Sequence, residues 1–195
     1  MFRIGIIGCG WAGTRHAEAI LSESLRKRAH LVAIADVQEE VLASAGPKWG
    51  VPEDGRYLDY GQMLEGAVLD AVSVCLPHHL HAPASIAALE AGLHVLVEKP
   101  IAITLEQVDA MASAAERQGK TLMVAESVRF NPVHQEAARL VQEGKIGELF
   151  LVRVSREHEM HDYLRERRWF LNQQQAGGGI MMAGGIHDIE AMRMF

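Results

Sequence analysis

The sequence has very little cysteine and no long apolar run, and each shortage excludes a class of protein. Among its 195 residues only Cys9 and Cys75 are cysteines, too few for a disulfide scaffold. Both lie in or beside predicted core strands, so we expect structural thiols in the reduced cytoplasm. No run of about 20 apolar residues occurs, which predicts no transmembrane span. The N-terminus enters a strand at once and leaves no room for a signal peptide.

The sequence has no internal repeats, and its basic residues are fewer than its acidic ones. The chain has 19 Lys and Arg against 25 Asp and Glu, a formal net charge of −6. This balance argues against nucleic acid or an anionic membrane as the main partner. The length suits one full domain, or one domain with part of a second.

The start of the chain combines a strand pattern with three spaced glycines. Residues 4–7 are apolar, and a G-x-G-x-x-G turn and a helix pattern from Ala12 to about residue 26 follow. In a dinucleotide site the glycines allow a tight turn, close approach of a pyrophosphate, and helix packing, and the helix N-terminus faces the phosphates. The alternative is an ordinary strand-to-helix turn. The predicted cofactor-binding residues here are Gly8, Gly10, Trp11, Ala12 and Gly13.

A carboxylate ends the second predicted strand, residues 30–36. Asp36 follows Gly13 by 36 − 13 = 23 residues, near the separation of about 20 expected of a ribose-binding acid. Such an acid would repel a 2′-phosphate, and no arginine follows to receive one, so the pattern favours NAD over NADP. A simpler role, in which Asp36 only caps the next helix, stays open.

A third buried strand, residues 69–76, leads into a histidine-rich loop at 77–81. The carboxyl ends of parallel strands border the cofactor crevice, so Pro77 and His78 are expected to line its adenosine side. His81 is expected to start a helix that covers 83–91. No cysteine or carboxylate completes a ligand set here, so we predict no metal site.

Two more strands follow, at 93–97 and 122–125, and Glu98-Lys99-Pro100 stands at the end of the first. Between them Thr104 and Gln107 have the spacing of a capping box for a helix to residue 118. Alternation of buried strands with helices indicates a parallel sheet covered on both faces. We therefore predict an α/β fold, a doubly wound Rossmann domain that binds NAD(P), over residues 1–125.

The pattern changes in residues 126–195, which predict the start of an α+β second domain. We expect a helix from Asn131-Pro132 to Glu143, a strand at 149–155 and a helix at 180–195. The His158 and His161 pair lacks the helical spacing of a zinc site.

Motifs along the whole chain point to one family. They are Gly8-Cys-Gly-Trp-Ala-Gly13 with His16-Ala17, Asp70-Ala-Val-Ser-Val74 with Pro77 and His81, Ala91-Gly-Leu-His-Val95 before Glu98-Lys99-Pro100, Arg129-Phe-Asn-Pro132, and Gly177-Gly-Gly179 with Gly185, His187 and Asp188. Together they resemble the Gfo/Idh/MocA oxidoreductases, the glucose–fructose oxidoreductase and inositol dehydrogenase family.

The resemblance implies hydride transfer between nicotinamide and a hydroxyl-bearing carbon, commonly of a sugar or cyclitol. Lys99 matches the catalytic lysine, which would bind the reacting hydroxyl and stabilise the developing alkoxide. His187 matches a histidine suited to proton transfer. Glu98 and Pro100 would fix the backbone of Lys99 beside the nicotinamide ribose. A solvated surface lysine and a merely structural histidine are the alternatives.

Two departures from the family pattern matter. Many members carry an aspartate four residues before the histidine, and this chain has Ala183 there. Asp188 points about 100° away from His187, whereas Glu190 shares its face and is the expected helper. The family's second domain is also a large, open, mostly antiparallel sheet. A single strand cannot cover a helix or satisfy its own edges, so we expect a truncated second domain or a partner that completes it. The resemblance implies that the missing segment carries much of the substrate pocket and the oligomer surface, and therefore a homo-oligomer at full length.

Two functions follow as hypotheses. The first is an NAD(P)-dependent dehydrogenase that acts on a sugar or polyol. The alternative is a non-catalytic NAD-binding regulatory or structural module, which Ala183 and the short second domain would favour.

Overall fold

A six-stranded parallel sheet forms the core of the first of two units, Met1–Ala125 and Glu126–Phe195. The computed structural model describes residues 1–157, 159 and 161–195. The strands are β1 (Phe2–Ile7), β2 (Ala29–Ala35), β3 (Arg56–Tyr57), β4 (Ala71–Val74), β5 (His94–Glu98) and β6 (Leu122–Ala125). Their order is β3-β2-β1-β4-β5-β6, so the winding reverses between β1 and β4. The prediction of a doubly wound α/β fold is confirmed.

Helices pack on both faces of this sheet because its strands are apolar on both sides. Ile6 and Ile34 pack with the first two helices, whereas Ile7 and Ala35, one residue further along each strand, pack with the next three. A 3₁₀ turn, Glu53–Gly55, precedes β3. The helices are α1 (Trp11–Leu21), α2 (Glu39–Trp49), α3 (Tyr60–Gly66), α4 (His78–Glu90) and α5 (Leu105–Gln118).

Two helix boundaries differ from the prediction. The first helix ends at Leu21 rather than near residue 26, because the backbone of Ser22 leaves the helical conformation with a ψ of 157°, and the Ser22 hydroxyl donates to the carbonyl oxygen of Ala19 at 2.6 Å. The other error concerns residues 77–81, predicted as a loop. Helix α4 already begins at His78 and continues through Pro83, so His81 lies in its second turn and does not start it.

The Thr104 cap of α5 is confirmed, while the reciprocal bond from Gln107 goes to the residue before the N-cap. The Thr104 hydroxyl accepts a hydrogen bond from the Gln107 N–H at 3.3 Å, and the Gln107 side chain accepts one from the Ile103 N–H at 3.1 Å. Gly119 follows the helix with a φ of 61°, a left-handed conformation that suits glycine. Local sequence therefore defines both ends of this helix.

The second unit consists of short helices and irregular segments. Its longest helix begins after Asn131, whose side chain accepts from the Val133 N–H at 2.9 Å as predicted. The elements are a 3₁₀ turn (Ser127–Phe130), α6 (Pro132–Gln142), α7 (His161–Glu166), a 3₁₀ turn (Arg168–Leu171), α8 (Gln173–Ala176), a π-helical turn (Met181–Gly185) and α9 (Ile186–Arg193). The predicted last helix is present, but its first turn is π-helical.

The predicted strand at residues 149–155 is wrong. These residues form no regular secondary structure, and the Phe150 side chain is 94% exposed. A strand needs a neighbour to accept its backbone hydrogen bonds, and no described residue of the second unit forms one. The pair of His158 and His161 cannot be followed further, since His158 lies outside the described residues. None of the helices in the described part of the chain has the length and apolar character needed to span a bilayer.

Candidate functional site

The turn between β1 and α1 forms an open backbone cradle. Gly8 has a φ of 93°, and a Cβ there would lie 2.4 Å from the carbonyl oxygen of Cys75. A Cβ on Gly13 would lie 2.0 Å from the carbonyl oxygen of Gly8. At Gly10, by contrast, a Cβ would meet no atom within 4 Å. The first and third glycines are therefore required by internal packing, while the second leaves space for a group from outside the chain.

The N-terminus of α1 faces this cradle without a side-chain cap. Gly10 is the N-cap residue, and the first helical bond runs from the Thr14 N–H to the Gly10 carbonyl oxygen at 2.9 Å. The N–H groups of Trp11, Ala12 and Gly13 precede that bond, so they have no acceptor within the helix and carry its partial positive charge. The cradle and these donors fit an anionic pyrophosphate.

Asp36 joins the end of β2 to the glycine turn. Its Oδ2 atom accepts from the Cys9 N–H at 2.9 Å, and its Oδ1 atom accepts from the Gln38 N–H at 3.0 Å. Gln38 is the N-cap residue of α2 and no side chain caps that helix, so Asp36 closes a turn two residues before the helix and does not cap it. Each carboxylate oxygen can accept more than one hydrogen bond, so this role leaves capacity for a ribose hydroxyl.

A chain of polar side chains holds the backbone of Lys99 at the end of β5. Glu98 accepts from the Lys99 N–H at 3.0 Å through Oε2, and its Oε1 atom lies 3.1 Å from Nε2 of His16. Nδ1 of His16 lies 2.5 Å from the Ser73 hydroxyl of β4. With Nε2 donating to the carboxylate, Nδ1 accepts from the hydroxyl. The network thus joins α1, β4 and β5 directly behind Lys99.

The charge of Glu98 is maintained by this network. Burial opposes ionisation of the carboxyl group, but the His16 hydrogen bond, electrostatic attraction to His16 and Lys99, and the Lys99 N–H together hold the pKa of Glu98 below its usual value. The carboxylate therefore stays ionised at neutral pH. Lys99 itself is half-buried, and Pro100 after it is buried.

His81 links the segments that follow β4 and β5. Its Nδ1 and Nε2 atoms each lie 2.7 Å from a backbone carbonyl oxygen, of Pro100 and of Leu76 respectively. Burial lowers the pKa of His81, against the opposing effect of both carbonyls. The ring of buried His78 lies 5.7 Å from that of His81. This buried histidine pair therefore takes part in packing.

The predicted residues of the first unit converge on the carboxyl edge of the sheet. The glycine turn follows β1, Asp36 follows β2, Pro77 and His78 follow β4, and the Glu98–Pro100 segment follows β5. No described group of three or more His, Cys, Asp and Glu residues is arranged to hold a metal ion. Sequence reasoning gave no role to His16, although its place on the buried face of α1, four residues before Ile20, was a usable signal.

The other predicted catalytic residue, His187, lies in α9 of the second unit. Its Nδ1 atom is 2.8 Å from Oε1 of Glu126. The expectation that Glu190 assists His187 is wrong, because Glu190 pairs with Arg129 at 3.0 Å and lies 3.6 Å from Arg193. Sequence reasoning missed Glu126, since the two partners are 61 residues apart.

The two thiols are expected to be unreactive in the folded protein. Burial, assisted by the Asp36 carboxylate, raises the pKa of Cys9 to about 12, and burial with the Glu98 charge raises that of Cys75. Since the thiolate is the reactive form, neither should react with an aromatic disulfide reagent at about pH 8 until the protein is unfolded in urea. Release of the coloured thiol before and after unfolding measures this, and prompt reaction of the native protein would contradict it.

Sequence comparison agrees with this geometry. The model for the oxidoreductase family with an NAD-binding Rossmann fold matches residues 2–126, and the model for the GFO/IDH/MocA C-terminal domain matches residues 134–195.

The chain belongs to the GFO/IDH/MocA oxidoreductase family.

Relatives within this family include dehydrogenases of cyclitols and sugars. Myo-inositol 2-dehydrogenase of Thermotoga maritima is 31% identical over 194 residues, which are 98% of this chain and 54% of the relative. D-apiose dehydrogenase of Paraburkholderia graminis is 34% identical over 154 residues, 79% of this chain and 40% of the relative. The chain thus spans about half the length of the curated relatives it matches.

A solved structure gives the same result for the fold. The crystal structure of scyllo-inositol dehydrogenase from Lactobacillus casei with bound NAD(H) and scyllo-inositol aligns with a TM-score of 0.85 at 28% identity, covering 100% of this chain and 56% of that one. The family is NAD-binding, and the residues present here fit the cofactor. The open cradle at Gly10 and the uncapped N-terminus of α1 suit its pyrophosphate.

Proposed function

We propose that the protein is an NAD-dependent oxidoreductase that transfers a hydride between nicotinamide and a hydroxyl-bearing carbon of a sugar or cyclitol. One observation carries the proposal: the open glycine cradle and the Lys99 backbone follow β1 and β5 at the same edge of one parallel sheet. Crevices at this edge, where the winding reverses, are the usual ligand sites of such sheets. Family membership and the names of the relatives support the reaction class.

The first unit, residues 1–125, holds the cofactor in this proposal. Backbone N–H groups of the glycine turn and of Trp11 and Ala12 bind the pyrophosphate, and Asp36 accepts from the adenosine ribose. An acid at that position favours NAD over NADP, because a 2′-phosphate would meet its negative charge. The remaining cofactor contacts come from the ends of β4 and β5, namely Pro77, His78, Glu98, Lys99 and Pro100.

Lys99 and His187 carry the proton chemistry. The bound cofactor supplies a nicotinamide ring that accepts or donates a hydride. The Lys99 ammonium binds the reacting hydroxyl and stabilises the negative charge that develops on its oxygen, and His187 exchanges a proton with it. Glu98 positions Lys99 through the Lys99 N–H.

The family and the composition support proposals for the substrate, the assembly and the location. The relatives' names support a polyol, sugar or cyclitol as the substrate. Residues 126–195 begin the substrate and oligomerisation domain, and the full-length protein is a homo-oligomer of the cytoplasm. The negative net charge gives no support to a nucleic acid or membrane partner.

A titration of NADH fluorescence with Gly10→Ala as the comparison tests the cofactor site. We expect saturable binding by the wild type and weaker binding of NADPH. The new methyl group would occupy the open cradle, so NADH affinity should fall at least about tenfold, or about 1.4 kcal/mol. Stability should fall by about 1 kcal/mol or less, since alanine is only a poorer N-cap than glycine.

Each negative result of the NADH titration and the turnover assays contradicts a different part of the proposal. Absence of saturable NADH binding would end the proposed function. Wild-type affinity in Gly10→Ala would show that the pyrophosphate does not occupy this cradle. Saturable binding without turnover on any member of a polyol and sugar panel would favour the non-catalytic module instead.

A further inference from the structure

A largely buried carboxylate contacts the ring of His187, and the proposed function gives it no role. We propose that Glu126 is the positioning residue for His187: it holds the Nδ1–H tautomer of the ring and leaves Nε2 to exchange a proton with the substrate hydroxyl. The catalytic part of this inference rests on the proposed function. The tautomer can be tested without it.

A backbone hydrogen bond holds the Glu126 carboxylate in place beside the ring of His187. Glu126 is the N-cap residue of the 3₁₀ turn Ser127–Phe130, and its Oε1 atom accepts from the Val128 N–H at 2.9 Å. The same oxygen lies 2.8 Å from Nδ1 of His187. The side chains of Glu126 and His187 are only 15% and 20% exposed. An ionised carboxylate only accepts hydrogen bonds, so the ring nitrogen beside it carries the proton.

The two acidic residues of α9, Asp188 and Glu190, form ion pairs with arginines. Oδ1 of Asp188 lies 3.0 Å from Nε of Arg156. Oε1 of Glu190 lies 3.0 Å from Nε of Arg129. Glu126 is therefore the carboxylate that the described structure gives to His187, in a chain that has Ala183 one turn earlier on the helix.

The second oxygen of Glu126 is unusual. Its Oε2 atom is buried, and among the described residues it has no hydrogen-bond partner. An unsatisfied buried acceptor destabilises a fold, and does so more strongly when it is charged. Because this unsatisfied oxygen destabilises the fold, packing alone does not explain a glutamate at position 126, and this supports a functional role in holding His187.

The tautomer of His187 tests the inference directly. ¹⁵N NMR of the ring, above the ordinary titration range of histidine, should show the Nδ1–H form in the wild type. In Glu126→Gln the amide can donate as well as accept, so the Nε2–H form should appear or become dominant. Glu190→Gln is the matched control, and its ring signals should equal those of the wild type. Unchanged ring signals in Glu126→Gln would overturn the inference.

Turnover tests the catalytic consequence. Glu126→Gln should lower kcat at least about tenfold, with NADH affinity unchanged and no further loss when it is combined with His187→Ala. A structural role would instead lower kcat in both backgrounds, and that result would overturn the inference. If the wild type binds NADH but has no turnover, the proposed function fails, while the NMR result still decides whether Glu126 sets the tautomer.

Discussion

Replacing Lys99 with methionine is expected to lower kcat by about 10³-fold, while NADH affinity falls by less than about tenfold. Methionine keeps a flexible apolar side chain of similar length and removes the ammonium group. The reacting oxygen would then lose the cation that stabilises its developing charge. The cofactor would keep its contacts with the glycine turn and with Asp36, and so most of its affinity.

The environment of Lys99 makes this a specific test of the amine. The backbone of Lys99 is held through its N–H by Glu98, and Glu98 is held by His16. Neither contact requires the ammonium group of Lys99. Since the pKa of Glu98 is held below its usual value, its carboxylate stays charged at neutral pH and can keep the segment in place in the variant.

Steady-state rates on a polyol panel, together with the NADH titration, measure the effect. Lys145→Met is the matched control, because it removes an exposed lysine of the second unit and should leave kcat unchanged. Circular dichroism should show the same fold in both variants. If Lys99→Met retains more than about a tenth of the wild-type kcat, Lys99 is not the group that stabilises the charge on the reacting oxygen.

Local patterns explain why so much of the first unit could be predicted from the sequence. Its buried strands are short apolar runs, and glycine or proline follows several of them. The glycine turn and the Thr104–Gln107 cap depend on residues a few positions apart, so their geometry is contained in their spacing. The position of Lys99 at the carboxyl edge follows from the parallel order of the strands.

Contacts between distant residues could not be read in the same way. His16 meets Ser73 and Glu98 across 57 and 82 positions, and Glu126 meets His187 across 61. Glu190 is closer to His187 in the sequence, but it does not assist the ring because it pairs with Arg129, 61 positions earlier in the chain. The prediction of a strand at 149–155 is wrong for a related reason. The segment contains the expected apolar residues, but a strand forms only where another strand pairs with it.

Gly8→Ala is expected to destabilise the protein by at least about 3 kcal/mol and to abolish NADH binding with it. A left-handed backbone at a φ of 93° is strained for alanine, and the added Cβ would lie 2.4 Å from the carbonyl oxygen of Cys75. The Gly8 N–H donates to the Ala35 carbonyl at 2.8 Å, and the Cys75 N–H donates to that of Ile7 at 2.8 Å. The backbone is thus fixed on both sides of Gly8.

Relief of that contact requires β1 and β4 to separate at their carboxyl ends, where the cofactor cradle begins. Urea unfolding followed by circular dichroism measures the loss of stability, with Gly10→Ala as the matched control two residues away. That variant adds the same methyl group where no atom lies within 4 Å, so it should lose cofactor affinity but little stability. Equal unfolding free energies for the two variants would show that the first glycine is not required by the packing of β1 against β4.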